Sequence, residues 1–208
     1  MPHLVSSAAD KQALRSAYKA QRAGLPMSSL SQAVVKTLAR EWPLCLPQNA
    51  QVNPIAVLGY APTGSEVNMM PWLQALMATE GYHLFLPRIA ASSSATDPTM
   101  TFWPYTAQTV LQANRFGILE PLPQHQSQAW QAEDYAWTIL LLPALAIDPA
   151  GHRLGYGKGH YDRFLANTSF AGPKVGITVE ALFRQPLPVD VWDRPCTMVF
   201  TEAALYSL

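Results

Sequence analysis

The chain has 208 residues, of which 49% are hydrophobic and 13% are charged. This length and composition predict one domain, residues 1–208, with a substantial buried core, and they exclude an intrinsically disordered chain. Fourteen basic and fourteen acidic residues give a formal net charge of zero, which provides no overall attraction to nucleic acid or to an anionic membrane. We therefore expect a small-molecule ligand, no nucleic-acid or membrane partner, and a monomer.

The sequence predicts neither a signal peptide nor a membrane span. Residues 1–25 mix charged side chains with alanines, and the longest apolar run, Ile139–Ile147, is too short to cross a bilayer. The two cysteines, Cys45 and Cys196, lack the spacing of a metal site and are interpreted as free thiols. We therefore expect a cytoplasmic protein.

Three helices are predicted in the N-terminal part of the chain. The motif Ser7-x-x-Asp10 resembles a capping box and predicts an alanine-rich helix that ends at Gly24. Apolar residues at helical spacing predict a second helix over residues 29–42. A third is expected over residues 69–79, with Asn68 as its cap.

Apolar runs typical of strands follow along the chain, at residues 55–60, 83–87, 100–105, 138–142, 174–179 and 197–201. Two of them, Ile55–Leu58 and Ile139–Leu142, are continuously apolar, as strands buried on both faces are. We therefore predict an α/β fold, with a mostly parallel sheet flanked by helices in a Rossmann-like three-layer arrangement. Irregular segments are expected over residues 43–54, 90–98 and 121–131.

The most informative segment is the glycine-rich run R-L-G-Y-G-K-G-H-Y-D-R at residues 153–163. Its alternating glycines let the backbone approach a ligand closely, and Arg153, Lys158 and Arg163 add positive charge. The run follows a predicted strand and precedes a predicted helix start at residues 161–166, an order in which free N–H groups attract anions. It is not a P-loop, because Gly follows Lys158 where a P-loop has Ser or Thr. The sequence favours a phosphate site, and a surface turn with solvated charges is the alternative.

A second basic feature lies on the first predicted helix. Lys11, Arg15, Tyr18 and Arg22 are spaced to fall on one helix face. Such a stripe is usually a solvated surface. Because no carboxylate lies among these four residues, an anion would relieve their mutual repulsion, and the helix is available to pair with the glycine-rich run.

Five motifs occur in a set order along the chain. They are K-x-x-L-R at residues 11–15, R-x-x-L at 22–25, P-R at 87–88, N-R-F-G-I-L-E-P at 114–121 and the glycine-rich run at 153–163. In this combination and order they resemble the 5-formyltetrahydrofolate cyclo-ligase family, also called 5,10-methenyltetrahydrofolate synthetases. The resemblance extends over nearly the whole chain.

The resemblance implies an ATP- and Mg²⁺-dependent conversion of 5-formyltetrahydrofolate to 5,10-methenyltetrahydrofolate, with release of ADP and phosphate. In the family mechanism, the N5-formyl oxygen receives the γ-phosphoryl group, N10 attacks the activated carbon, and phosphate leaves. Phosphoryl transfer requires mainly positioning and charge neutralisation, which Lys, Arg, backbone N–H groups and a metal ion supply.

The resemblance also implies which residues bind ATP. The positions that match are Lys11, Arg15, Arg153, Leu154, Gly155, Tyr156, Gly157, Lys158, Gly159, His160 and Tyr161. Among them we expect Lys158, Arg153 and Tyr161 to be catalytic, with Lys158 contacting the transferring phosphoryl group. His160 departs from the family, which usually has an aromatic residue there, and a histidine can carry a proton near neutral pH.

Four residues are implied for the folate. Glu66 matches an acid that contacts the pterin, since a carboxylate accepts hydrogen bonds from the donor edge of that ring. The alternative is that Glu66 only favours the start of the next helix. Tyr156 and Lys158 lie where the glycine-rich run also faces the folate. Trp103 is either an aromatic wall of the pocket or an ordinary core residue.

Two aspartates are implied as Mg²⁺ ligands. Asp162 matches one family ligand, and oxygen ligands of this kind hold Mg²⁺ beside a polyphosphate. Asp193 matches the second, although Trp192 stands where many relatives have His and Asp190 competes for the same role.

Functions of two other classes remain open from the residues alone. A nucleotide- or sugar-phosphate-binding module of related α/β fold would also use the glycine-rich run and the Lys11 face, but it would have no use for Glu66 beside a heterocycle. A phosphosugar isomerase would need a positioned general base and no ATP.

Overall fold

The computed structural model describes residues 8–46, 54–89, 100–123, 127–183 and 185–208. The helices are α1 (Ala8–Ala23), α2 (Met27–Glu41), α3 (Met70–Met77) and α4 (His160–Asn167). The strands are β1 (Ile55–Leu58), β2 (Tyr82–Ile89), β3 (Met100–Pro104), β4 (Leu111–Ala113), β5 (Leu119–Pro121), β6 (Trp137–Pro143), β7 (Ala146–Ile147), β8 (Arg153–Leu154), β9 (Lys174–Ile177), β10 (Met198–Phe200) and β11 (Leu205–Ser207).

Seven of these strands form one sheet, in the order β11-β10-β9-β6-β1-β2-β3. The five inner strands run parallel, and the edge strands β3 and β11 are antiparallel to their neighbours. The prediction of an α/β fold with a mostly parallel sheet is confirmed.

Both faces of the central strands are buried. Ile55 and Val57 of β1 join the core on one face of the sheet, and Ala56 and Leu58 join the core on the other. Helices α1, α2 and α3 cover the first face, and α4 covers the second, through Phe164. This double burial is the reason that the strand is continuously apolar, as the three-layer prediction requires.

The chain leaves the centre of the sheet in two directions. From β1 it passes through α3 to β2 on one side, and from β6 it passes through α4 to β9 on the other. The carboxyl ends of β1 and β6 therefore border a topological switch point, which is where parallel sheets bind their ligands.

The predicted helices are confirmed, with small differences at their ends. Helix α1 ends directly before Gly24. The N-cap of α3 is Met69 and not the predicted Asn68, although Asn68 Oδ1 accepts the Met70 N–H at 3.1 Å from one residue further upstream. Helix α2 stops at Glu41 and continues as a 3-10 turn over Trp42–Cys45, in the segment predicted to be irregular. Ser7 of the predicted capping box lies outside the described residues, as do residues 47–53 and 90–98.

Two short hairpins and the last strand are not predicted by the sequence patterns. Strands β4 and β5 pair antiparallel, as do β7 and β8, and β11 pairs with β10. Strand β7 lies inside the apolar run 139–147, whose continuous character conceals the break after β6. As a result, the glycine-rich run begins with strand β8 of the β7–β8 hairpin and does not follow the long strand β6 directly.

Membrane-spanning helices are not found among the described residues. The longest helix there, α1, has 16 residues.

Candidate active site

A cleft of about 430 Å³ opens at the carboxyl ends of β1, β2 and β6. Its walls include Tyr60 and Glu66, which follow β1, Ile89 at the end of β2, and Pro143 at the end of β6. The cleft therefore lies at the switch point of the sheet, and its volume is in the range of small-molecule sites.

The two basic features of the sequence meet in this cleft. Lys11 and Arg15 of α1 line it together with the whole run from Arg153 to Arg163. The Arg15 Nε donates to the Gly155 carbonyl at 3.0 Å, which joins the N-terminal helix to the glycine loop, residues 155–159. The predicted pairing of the helix with this loop is thus present in the structure.

Glycine is required at two positions of the loop. Gly157 has φ +88° and Gly159 has φ +64°, a region that residues with a Cβ rarely adopt. A Cβ on Gly157 would also lie 3.1 Å from the Arg15 Cζ, so the loop packs directly against this guanidinium. At Gly155, by contrast, a Cβ would meet nothing within 4 Å.

The loop leads into the N-terminus of α4, which also faces the cleft. Gly159 is the N-cap, and no side chain caps the first turn. Since residues 159–163 line the cleft, the backbone N–H groups of this turn are placed to receive an anion.

Lys11 is held by two carboxylates from the distant loop that precedes β10. Its Nζ lies 2.7 Å from Oδ2 of Asp190 and 2.7 Å from Oδ2 of Asp193. Burial alone would lower the pKa of Lys11, but the hydrogen bonds and charges of the two aspartates raise it above its ordinary value. The expectation of an uncompensated cationic stripe is therefore wrong at Lys11, because its partners come from the other end of the sequence.

The C-terminal half of the stripe is buried and not solvated, whereas Arg15 is half-buried. Tyr18 belongs to the core, and Arg22 is 2% exposed. Arg22 donates to the carbonyls of Ala144 and Leu145, the latter at 3.0 Å, and to the Tyr156 hydroxyl at 3.1 Å. Arg22 therefore anchors the end of α1 to the end of β6 and to the glycine loop.

Glu66 is a buried carboxylate in the wall of the cleft. Its Oε2 accepts the Thr63 N–H at 2.8 Å and the Thr63 hydroxyl at 3.1 Å. Burial raises the pKa of Glu66, although Thr63, Arg22 and Tyr156 oppose this shift. Glu66 lines the cleft and lies before the start of α3, outside the first turn of that helix.

Arg153 and Asp162 form an ion pair in the cleft wall. Arg153 donates to Asp162 Oδ1 and to the Arg194 carbonyl, and the Arg153 side chain is 6% exposed. Asp193, which also lines the cleft, accepts the Asp190 N–H at 2.9 Å in addition to Lys11. Each carboxylate implied for a metal ion is thus paired with a basic side chain.

Lys158 is exposed at the mouth of the cleft. Its Nζ lies 5.9 Å from the centroid of the Phe116 ring. Deeper in the cleft, burial raises the pKa of Tyr161, which keeps its hydroxyl protonated and able to donate. Burial, Arg163 and Lys158 all lower the pKa of His160, so a neutral imidazole is favoured near neutral pH and not the extra charge considered from the sequence.

The β4–β5 hairpin contributes residues to which sequence reasoning assigns no role. Phe116, 49% exposed, and Glu120 both line the cleft. Glu120 Oε1 accepts the Ile89 N–H at 2.9 Å and the Asn114 side-chain amide at 2.6 Å, which ties the hairpin to the end of β2. Both residues lie within the motif at 114–121, so the motif is the signal that marks them.

Trp103 does not line the cleft, and the prediction that it forms a pocket wall is wrong. Met100, which lines the cleft, and Phe102 share one face of β3, and strand alternation turns Trp103 to the opposite face. Its indole N–H donates to the Thr101 hydroxyl at 3.0 Å.

The fold and the cleft define an α/β protein with a basic, glycine-rich loop and a buried carboxylate at the switch point of its sheet. Comparisons with known proteins identify the family within this class. The model of the 5-formyltetrahydrofolate cyclo-ligase family matches residues 7–202. The chain therefore belongs to the 5-formyltetrahydrofolate cyclo-ligase family.

Individual relatives agree with this assignment. The 5-formyltetrahydrofolate cyclo-ligase of Mycolicibacterium smegmatis is 30% identical over 145 residues, which are 70% of this chain and 72% of that protein. The enzyme of the same name from Haemophilus influenzae is 29% identical and covers 89% and 94% of the two chains. The solved structure of Aquifex aeolicus 5,10-methenyltetrahydrofolate synthetase superposes with a TM-score of 0.69 at 27% identity, over 95% of this chain and 92% of that chain.

Proposed function

We propose that this protein converts 5-formyltetrahydrofolate to 5,10-methenyltetrahydrofolate, with cleavage of ATP to ADP and phosphate. The observation that carries the proposal is the convergence, in one cleft, of Lys11, Arg15 and the glycine loop with the buried carboxylate of Glu66. The basic groups suit a triphosphate, and the carboxylate suits a pterin.

The triphosphate site is formed by the glycine loop and by α1. The loop backbone and the uncapped N-terminus of α4 offer N–H groups, and Arg15 and Lys158 offer positive charge. Lys11, whose charge is compensated by Asp190 and Asp193, offers an ammonium group as a hydrogen-bond donor. Gly155 leaves open space where a side chain would otherwise stand, so a phosphate can approach the backbone. We assign the contact with the transferring phosphoryl group to Lys158, because its side chain is exposed to the cleft.

The carboxylates in the wall fit a magnesium ion that is held mainly by nucleotide phosphates. Among the described residues, no group of three or more His, Cys, Asp or Glu side chains is arranged to hold a metal. A site with one or two carboxylates suits Mg²⁺, which commonly takes its remaining ligands from phosphate oxygens and waters. We assign Asp162 and Asp193 as its protein ligands, leaving Asp190 to hold Lys11. When bound, Mg²⁺ would neutralise charge on the phosphates.

The folate occupies the other part of the cleft in this proposal. Ionised Glu66 accepts hydrogen bonds from the pterin donors, and the Phe116 ring offers a flat apolar surface at the mouth. The formyl oxygen then faces the γ-phosphoryl group, which it receives as ADP leaves. Attack of N10 on the formyl carbon closes the ring, and the C–O bond breaks to release phosphate. Tyr161, kept protonated by burial, is placed to donate a hydrogen bond in the cleft.

Arg153 supports this site from the wall. Because its guanidinium is occupied by Asp162 and by the Arg194 carbonyl, we assign it to orienting Asp162. The two buried free thiols, Cys45 and Cys196, suit the reducing cytoplasm in which we place the reaction.

A mixing experiment tests the proposal. The purified protein is combined with 5-formyltetrahydrofolate, ATP and Mg²⁺, and the near-ultraviolet absorption band of the methenyl product is followed. We expect the band only when all components are present, and a markedly slower rise of the band in Glu66→Gln at a folate concentration near the wild-type KM. Binding of the nucleotide without any product band, at high protein concentration, would favour the phosphate-binding module instead.

A further inference from the structure

Arg22 is the most deeply buried charge in the described part of the chain, and the proposed reaction gives it no role. Its side chain forms no direct ion pair there, and its Nε has no hydrogen-bond partner. A buried, incompletely satisfied guanidinium lowers stability unless other interactions compensate for it. Its retention in the interior therefore calls for a second function.

The partners of Arg22 lie at the base of the cleft. The carbonyls of Ala144 and Leu145 directly follow β6, at the switch point. The Leu145 N–H in turn donates to the Leu154 carbonyl at 2.8 Å, just before the glycine loop. Arg22 thus determines where the end of β6 and the beginning of the loop lie relative to α1.

The third partner leads to the folate side of the cleft. The Tyr156 hydroxyl accepts a hydrogen bond from Arg22 Nη1 at 3.1 Å, and Tyr156 and Glu66 both line the cleft. Tyr156 lies close enough to Glu66 to act on the pKa of that carboxyl. The hydrogen bond from the buried guanidinium therefore fixes the Tyr156 side chain in the part of the cleft wall that also holds Glu66.

We infer that Arg22 is a positioning residue for folate: it holds Tyr156 in place beside the Glu66 carboxylate, which contacts the pterin. This inference rests on the proposed function, in which Glu66 contacts the folate. It assigns the buried cation to the folate half of the site and not to the phosphates, although Arg22 lies on the same helix as Lys11 and Arg15.

The charge of Arg22 also favours the ionised form of Glu66, which is the form that accepts hydrogen bonds from the pterin. The groups that act on Glu66 are Thr63 on its own segment, Arg22 on α1, Tyr156 on the loop, and Tyr60 and Tyr161, whose hydroxyls stay protonated because burial raises their pKa. Arg22 is the only formal cation of this set, and it lowers the pKa of Glu66 against the effect of burial. Without Arg22, Glu66 would take up a proton at higher pH and would stop accepting hydrogen bonds from the pterin.

The test compares Arg22→Gln with Tyr156→Phe, the double variant and Glu66→Gln. Arg22→Gln keeps a donor for the carbonyls but removes the charge. We expect the KM for folate to rise about tenfold in each single variant, which corresponds to one hydrogen bond to a charged group, with kcat and the KM for ATP nearly unchanged. The double variant should be little worse than either single variant, because the two changes remove the same hydrogen bond between Arg22 and Tyr156.

Two further readouts separate positioning from a structural role. The acid limb of folate binding, measured by titration without ATP, should move to higher pH in Arg22→Gln. The control Arg40→Gln, at an exposed site on α2, should match the wild type. The inference would be overturned if Arg22→Gln raised the KM for folate and the KM for ATP together. It would also be overturned if the acid limb of folate binding stayed at the same pH in this variant. If Arg22→Gln does not fold, Tyr156→Phe decides the question through the same limb, because Tyr156 is 39% exposed.

Failure of the inference is distinguishable from failure of the proposed function. If Glu66→Gln weakens folate binding and Arg22→Gln does not, the positioning role is wrong and the site assignment stands. If Glu66→Gln binds folate as the wild type does, the assignment of Glu66 itself is wrong, and the positioning role falls with it.

Discussion

We predict that Gly157→Ala destabilises the protein and weakens ATP binding, whereas Gly155→Ala leaves the melting temperature unchanged. The two glycines lie in the same loop, two residues apart, but they differ in conformation and in surroundings. Gly157 has φ +88° and packs against Arg15, while Gly155 has no neighbour within 4 Å of an added Cβ.

The magnitude follows from two costs. Holding an alanine in the left-handed region costs about 1–2 kcal/mol. The new Cβ would lie 3.1 Å from the Arg15 Cζ and 3.2 Å from its Nε, so the guanidinium must shift and lose its bond to the Gly155 carbonyl. That partly exposed hydrogen bond contributes about 0.5 kcal/mol, at the low end of the usual range. We therefore expect a loss of about 2 kcal/mol and, for a chain of this size, a fall in Tm of about 4–8 °C.

Thermal unfolding of the wild type and both variants, followed by circular dichroism, measures the effect. The KM values for ATP and for folate are measured alongside. Gly157→Ala should raise the KM for ATP more than that for folate, because Arg15 lies on the phosphate side of the cleft. Equal melting temperatures for Gly155→Ala and Gly157→Ala would refute the reasoning, since neither the positive φ nor the contact with Arg15 would then matter.

Three further outcomes are expected. Lys158→Met should lower kcat about 100-fold or more with an unchanged Tm, because removal of a group that stabilises developing charge in the transition state has an effect of this size. The control Lys36→Met, at an exposed position, should match the wild type. Wild-type turnover in Lys158→Met would remove Lys158 from the mechanism. Asp162→Asn should raise the Mg²⁺ concentration needed for half-maximal rate, and an unchanged metal dependence would show that Asp162 only pairs with Arg153. Burial raises the pKa of Glu66, so the KM for folate should increase as pH falls through that raised pKa. Glu66→Gln should have a high KM for folate that does not change with pH. A wild-type KM that does not vary with pH would contradict the role of ionised Glu66.

The parts of the fold that depend on local pattern can be predicted from the sequence. The continuous apolar runs of β1 and β6 indicate burial on both faces, and Gly24 correctly marks the end of α1. The alternating glycines at 155–159 predict a backbone that approaches its surroundings closely, and two of the three have positive φ. In each case the physical cause lies within a few residues of the pattern.

The parts that depend on partners far along the chain cannot be predicted in this way. Lys11 is paired with Asp190 and Asp193, which no local spacing reveals, and so its charge is compensated and not free. The orientation of Trp103 depends on which face of β3 meets the cleft, and both faces carry apolar residues. The buried position of Arg22 follows only from the docking of α1 on the end of β6.

The most direct test of the central claim is to follow the formyl oxygen of the folate. The claim is that the cleft holds ATP against 5-formyltetrahydrofolate, so that the γ-phosphoryl group passes to this oxygen before the ring closes. We would supply 5-formyltetrahydrofolate labelled with ¹⁸O in the formyl group and analyse the released phosphate by mass spectrometry. The account predicts one ¹⁸O atom in each phosphate released during ring closure. Unlabelled phosphate, formed at the same rate as the methenyl product, would contradict it.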